Sequence, residues 1–168
     1  MDTVRKENEN ERAAVRAVHE AAFETPAEAD LVDLLREHAD PYIALVEGFE
    51  DLVRGHIVFT PVTHDNRPDL RILGLGPMAV LPAYQGGAIG SVLVTEGLEL
   101  CEHRGFGAVV VLGHPEYYPR FGFVPASRFG IRSEYDVPEE VFMAMELKEG
   151  YLSDAAGLVK YHPAFGEV

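Results

Sequence analysis

From Glu9 to Phe23, the residues Ala13, Val15, Ala17, Val18, Ala21 and Ala22 recur among charged positions at near-helical spacing. Alanine is the strongest helix former, so the spacing predicts a first helix there. Pro26 ends it, and Ala29, Leu31, Val32, Leu34 and Leu35 mark a second helix that closes near Asp40-Pro41. Tyr42 to Val46 and His56 to Val62 are β-branched and aromatic and read as two antiparallel strands, with Phe49-Glu50-Asp51 as the hairpin connection.

The polar run Thr63 to Asp69 reads as a loop. Leu70 to Val80 then resumes an apolar course, and Gly74, Gly76 and Pro77 predict that this strand bulges or bends. Pro82 stops it. From Gly87 to Arg104, Ile89, Val92, Leu93, Gly97, Leu100 and Cys101 recur every three or four residues, which predicts a helix with one face on a sheet. Ala108 to Leu112 is wholly apolar, as in a central strand covered on both faces. A short irregular helix over His114 to Arg120, a strand start at Phe121 to Val124, a strand over Val141 to Leu147 and a last one over Gly157 to Tyr161 complete the pattern. The predicted fold class is α/β, a mixed sheet with helices on both sides.

Length and composition fit one domain over residues 1–168, with 47% apolar residues to fill its core. No stretch approaches the roughly 20 apolar residues that span a bilayer, and the N-terminus lacks the pattern of a signal peptide. Cys101 is the single cysteine, which offers no disulfide or metal framework and points to a reducing cytoplasm. The formal charge of −14 disfavours nucleic acid and anionic membranes as partners. It equally opposes a polyanionic cofactor, so any phosphate site must work through backbone dipoles.

Such a site is written into Val80-Leu-Pro-Ala-Tyr-Gln85-Gly-Gly-Ala-Ile-Gly90-Ser91, a glycine-rich link between a strand and an amphipathic helix. The unpaired N–H groups at a helix start bind anions, and glycines let the backbone approach a diphosphate. A phosphate loop of the Gly-Lys-Ser/Thr kind needs a lysine that is absent, and Gly74-Leu-Gly76-Pro77 is no dinucleotide fingerprint. The loop resembles the acyl-CoA loop of the GNAT acetyltransferases, Gln/Arg-x-x-Gly-x-Gly/Ala, with Gln85 first, Gly90 last and Ala88 where the family usually has glycine. Downstream, Tyr118-Pro-Arg-Phe-Gly122-Phe123 is similar to the family's Tyr-x-x-x-Gly-Phe element, and the block from Leu73 to Ser127, continued by Tyr135 to Met143, resembles the YhbS-like subgroup.

The resemblance implies a strongly twisted mixed sheet that splays between its two central parallel strands. It implies acetyl-CoA as cosubstrate and an amine acceptor, either a small molecule or a peptide. It places the pantetheine arm on Met78, Ala79 and Val80 and the diphosphate on the amides of Gln85, Gly86, Gly87, Ala88, Ile89, Gly90 and Ser91. It makes Tyr118 the general acid that protonates the departing thiolate, with an ordinary pKa of about 10. A backbone N–H near Ala79 or Val80 would face the developing oxyanion.

No residue stands out as the base that takes the amine's proton. His114 and Glu116, close to Tyr118 in sequence, are candidates, each also readable as a turn or surface residue, while Glu24, near the first interhelix loop, reads as a residue bordering the acceptor cleft or as ordinary surface. Cys101 reads as a buried structural thiol, and the scattered histidines give no metal-binding pair. Two other readings stay open: an acyl-CoA-binding module without turnover, and a scaffold that forms a homodimer through the aromatic segment Tyr161-His-Pro-Ala-Phe165.

Overall fold

The computed structural model describes residues 3–49 and 51–167. In chain order it comprises β1 (Val4–Lys6), α1 (Arg12–Ala22), α2 (Ala27–His38), β2 (Ile43–Phe49), β3 (Leu52–Pro61), β4 (Thr63–His64) and β5 (Ile72–Val80). There follow α3 (Ile89–His103), β6 (Ala108–Leu112), β7 (Val124–Pro125), β8 (Ile131–Ser133), β9 (Phe142–Glu146) and β10 (Gly157–Lys160), linked in places by 3₁₀ turns. Seven strands form the main sheet in the order β1-β2-β3-β5-β6-β9-β7, and β4-β10-β8 form a smaller one. In the main sheet β5 and β6 are the parallel pair and every other pairing is antiparallel.

Both faces of the main sheet are covered, as the apolar strand β6 requires. On one face Ile57, Phe59 and Val109 pack with Leu93, Val94 and Cys101 of α3. On the other, Ala44, Val46 and Val58 meet Val15 and Val18 of α1 and Leu31, Val32 and Leu35 of α2. Burying each such Leu or Val contributes roughly 1.5–3 kcal/mol. Toward the far end of the sheet, Ala108, Val110, Phe142 and Ala144 pack under the small sheet through Ile131 and Val159. Gly97 belongs to this packing, since a Cβ there would stand 2.4 Å from the Phe59 ring.

The parallel strands pair over Ile72 to Leu75 and Ala108 to Val111 and then part. Beyond Leu75, β5 continues along β3 alone, with Met78, Ala79 and Val80 opposite Ile57, His56 and Gly55. The cause is the feature expected at Gly76-Pro77: the β3–β5 register shifts between Ile57 and Phe59, so β5 carries an extra residue at the bend. The mixed, splayed architecture expected from the sequence is therefore present.

Some elements differ from the sequence pattern. Glu9–Glu11 form a 3₁₀ turn ahead of α1, while β1, with two charged residues in three, pairs with β2 at the sheet edge. Thr63 and His64 lie in the predicted loop yet pair with Lys160 and Val159. The expected hairpin connection Phe49-Glu50-Asp51 includes Glu50, which lies outside the described residues. Tyr161 and Ala164 are buried and Phe165 packs beside them, so the C-terminal aromatic segment fills the chain's own core.

Candidate active site

The glycine loop leaves β5 through Pro82–Tyr84 and enters α3 at Ile89, with Ala88 as its N-cap at φ −92°. The alanine keeps an ordinary negative φ, as a residue entering a helix does. No side chain caps α3, so the amides of its first turn point outward without intrahelical partners. Three of the glycines are not packing residues. A Cβ on Gly86, which has φ 84°, would meet nothing within 4 Å, one on Gly87 only Tyr84 O at 3.7 Å, and one on Gly90 nothing nearer than 3.5 Å. The contrast with Gly97 is sharp: these loop glycines leave room for a Cβ and border a cleft.

That cleft has a volume of about 270 Å³ and is lined by Val80, Gln85, Gly87, Ser91, Tyr117 and Arg120, among others. Gln85 donates from Nε2 to the Val80 carbonyl at 2.9 Å, which ties the loop back to the strand. Ser91 Oγ and Tyr117 Oη share a hydrogen bond of 2.9 Å across the cleft. Arg120 lies over the Tyr117 ring, 4.4 Å from its centroid, and donates from Nε to Tyr117 O at 2.9 Å. Sequence reading required no basic side chain here, and Arg120 supplies one beside the helix start, where it adds to the anion-attracting field.

β5 turns two kinds of backbone edge to its surroundings. Leu81 N–H donates to Arg54 O at 2.8 Å, so by antiparallel alternation Ala79 also faces β3. Met78 and Val80 therefore present their N–H and C=O groups to the opposite side, where β6 has diverged. The Gln85 bond to Val80 O agrees with this orientation. Of the two amides considered from sequence, Val80 is the one directed into the gap and Ala79 is not.

Tyr118 stands in a 3₁₀ turn after β6, buried against Phe123 and Tyr117, with its ring where a Cβ on Gly113 would be only 2.3 Å away. Its hydroxyl makes no hydrogen bond to a described residue, unlike that of Tyr117. Burial, aided by the neighbouring Tyr117 phenol, pushes its pKa up to about 12, above the ordinary value expected from sequence. Cys101 is buried and its thiol is likewise pushed up to about 12 by burial, which suits a structural role.

The base candidates fare differently. His114 is exposed and uses its carbonyl to accept the Tyr117 and Tyr118 amides, a turn residue's task. Glu116 and Glu24 are exposed. One turn beyond Glu24, Glu28 has a buried Oε1 with no hydrogen-bond partner among the described residues and lines a second cavity at the splay.

A buried polar array that spacing did not reveal lies on the helical face behind β5. Glu7 Oε1 accepts from His56 Nε2 at 2.6 Å and Tyr42 Oη at 2.8 Å, and Glu7 Oε2 from Arg36 Nε at 2.7 Å. His56 Nδ1 is then the acceptor for His19 Nε2, at 2.9 Å, which leaves buried His19 Nδ1 without a donor among the described residues. Burial would raise the Glu7 pKa, but its three donors outweigh that and hold it at about 2. Burial and the adjacent His56 lower His19 to about 3, and burial lowers His56.

Comparison with known proteins agrees with this geometry. The Acetyltransferase (GNAT) family profile matches residues 8–123. The uncharacterized N-acetyltransferase YhbS of Escherichia coli strain K12 is 37% identical over 152 residues, 90% of each chain. YjhQ of the same organism, also an uncharacterized N-acetyltransferase, is 39% identical over 79% of this chain and 76% of its own. The crystal structure of E. coli YhbS in complex with CoA superimposes with TM-score 0.91, at 35% identity over 97% of this chain and 91% of that one. A GNAT acetyltransferase from Brucella melitensis in complex with acetyl-CoA gives TM-score 0.79, 34% identity and 96% coverage of both chains. No helix among the described residues is long and apolar enough to cross a membrane. By profile, identity and fold together, the chain belongs to the GNAT family of acetyltransferases.

Proposed function

We propose that this acetyltransferase takes acetyl-CoA as its cosubstrate and passes the acetyl group to an amine by direct attack in a ternary complex. The observation that carries the reading is the cradle at Gly86, Gly87 and Gly90, where a Cβ would meet nothing nearer than 3.5 Å and the uncapped start of α3 faces a cleft holding Arg120. Those elements suit a diphosphate, in agreement with the CoA and acetyl-CoA bound by the two solved relatives.

In this reading the outward edges of Met78 and Val80 pair with the pantetheine arm in the gap left by β6. The Val80 N–H meets the carbonyl oxygen as negative charge develops on it, without reorganising. Tyr118 keeps its proton throughout the physiological range and delivers it to the departing sulfur. The whole chain, residues 1–168, acts as one domain in the cytoplasm, a compartment that suits its lone buried thiol.

Calorimetric titration with acetyl-CoA tests the assignment. Binding should raise the unfolding free energy by about 2.7 kcal/mol at a hundredfold excess over Kd, with little effect from NADH or ATP. Absence of heat at millimolar acetyl-CoA would overturn it.

A further inference from the structure

On the α1–α2 side of the splay a second cavity, of about 210 Å³, is bounded by the β5 bend at Leu75-Gly76-Pro77 and by Leu112 at the end of β6. It therefore opens at the point where the two parallel strands part. Its remaining wall is aromatic, from Phe23, Tyr135, Tyr161 and Phe165, with Glu28 as the one charged residue. The Tyr161 ring lies tilted against its neighbours, its centroid 5.0 Å from that of Phe165 and 6.2 Å from that of Tyr135, and it is seated on Gly74, where a Cβ would lie 2.5 Å from it. Two polar atoms in this wall, Glu28 Oε1 and Tyr161 Oη, are buried without a hydrogen-bond partner among the described residues. A buried unpaired polar group costs about 1–3 kcal/mol, so each is a group for which a ligand has something to offer.

Building on the acetyltransferase reading above, we infer that this cavity is the acceptor site and that it selects a small hydrophobic monoamine, a single ring on a short chain ending in an ammonium group. Aromatic faces and a lone carboxylate attract a cation with an apolar body. They repel an amino acid, whose own carboxylate would lie against Glu28 with no cation to balance it. A polyamine would leave its further charges desolvated against apolar walls. The volume is below the roughly 300–1,000 Å³ of sites for drug-sized ligands, which suits a single ring on a short chain. The proton balance is simple. The ammonium loses one proton to water by way of Glu28 before attack. The C–N bond then forms as the C–S bond breaks, and the nitrogen's second proton is released as Tyr118 donates to sulfur and is reprotonated. The products are amide, CoA thiol and one proton.

The test compares 2-phenylethylamine with phenylalanine, spermidine and a peptide bearing a free amino terminus, in wild type, Glu28→Gln and Tyr161→Phe. CoA thiol release and amine binding to the CoA complex are both read. Expected is a kcat/KM for 2-phenylethylamine at least about tenfold above the others, falling roughly 10- to 100-fold in Glu28→Gln and less in Tyr161→Phe, with acetyl-CoA affinity unchanged. Equal use of phenylalanine or spermidine, or an unaffected Glu28→Gln, overturns the inference while leaving the transferase reading intact. If no amine is acetylated but 2-phenylethylamine binds wild type and not Glu28→Gln, the site stands and the transferase reading falls. If it does not bind either protein, the inference is overturned.

Discussion

Ser91 and Tyr117 close the cleft from opposite banks: the hydroxyl at the start of α3 meets the phenol that follows β6 at 2.9 Å, 26 residues apart in sequence. This bond links the start of α3, where the diphosphate is proposed to bind, to the turn that carries Arg120 and Tyr118. Replacing Tyr117 with Phe should therefore weaken acetyl-CoA binding by about fivefold, the worth of one hydrogen bond near 1 kcal/mol, and lower stability by a similar amount. Calorimetry and denaturant titration of the variant measure both.

Gly87→Val separates packing from binding. With nothing nearer than 3.7 Å to a Cβ at Gly87, the fold has room for the side chain, so the melting temperature should change little. Acetyl-CoA affinity should fall by about 100-fold or more, since the branched side chain occupies the space beside the helix start. Ala88→Gly should be neutral or slightly favourable. Unchanged affinity in Gly87→Val would move the anion site elsewhere.

Tyr118→Phe should leave both folding and acetyl-CoA binding nearly unaltered, because the lost hydroxyl has no hydrogen bond to a described residue. Turnover should drop by about 10²- to 10⁴-fold. The pH profile carries a second signature. With burial holding Tyr118 near 12, the wild-type rate should show no fall attributable to this phenol at pH 10, where an unperturbed tyrosine would already be half ionised. A rate limb near pH 10 that vanishes in the variant would contradict this account.

The site was legible where its parts are contiguous. Val80 to Ser91 is a strand end, a loop and a helix start in one stretch, and Gly76-Pro77 announces its bend locally, so the loop, the helix start and the bend were all legible in the sequence. The parts that stayed hidden come from distant segments. The two-residue strand β4 exists because Lys160 and Val159 pair with it, and nothing in Thr63-His64 signals a partner so far along the chain. His19 and His56 meet across 37 residues, and His56 meets Glu7 across 49. Glu28 looks in sequence like Asp30 and Asp33 beside it, yet those two pair with Arg16 while Glu28 turns an oxygen inward. Arg120 acquires its place only when it folds onto Tyr117.

Acid should destabilise the protein in two overlapping stages. His19, held near 3 against an ordinary 6.5, binds fewer protons folded than unfolded, so stability falls as pH drops from about 6.5 toward 3. Glu7, held near 2 against 4.5, contributes stability that is complete above 4.5 and is lost as pH falls through 2. Each group contributes a slope of at most about 1.4 kcal/mol per pH unit. Melting curves between pH 7 and pH 3 should show a steep decline that is shallower in His19→Gln. An equal slope in that variant would remove His19 from the explanation.

The account rests most heavily on acetyl transfer itself, and the direct measurement follows CoA thiol and N-acetylated product together when acetyl-CoA and 2-phenylethylamine are mixed with the enzyme. One acetamide should form for each thiol released, at a rate that saturates in both substrates and depends on the hydroxyl of Tyr118. Tight acetyl-CoA binding with neither thiol nor acetamide formed, for this amine and for every other amine tried, would instead describe an acyl-CoA-binding protein on a transferase fold and contradict the proposed function.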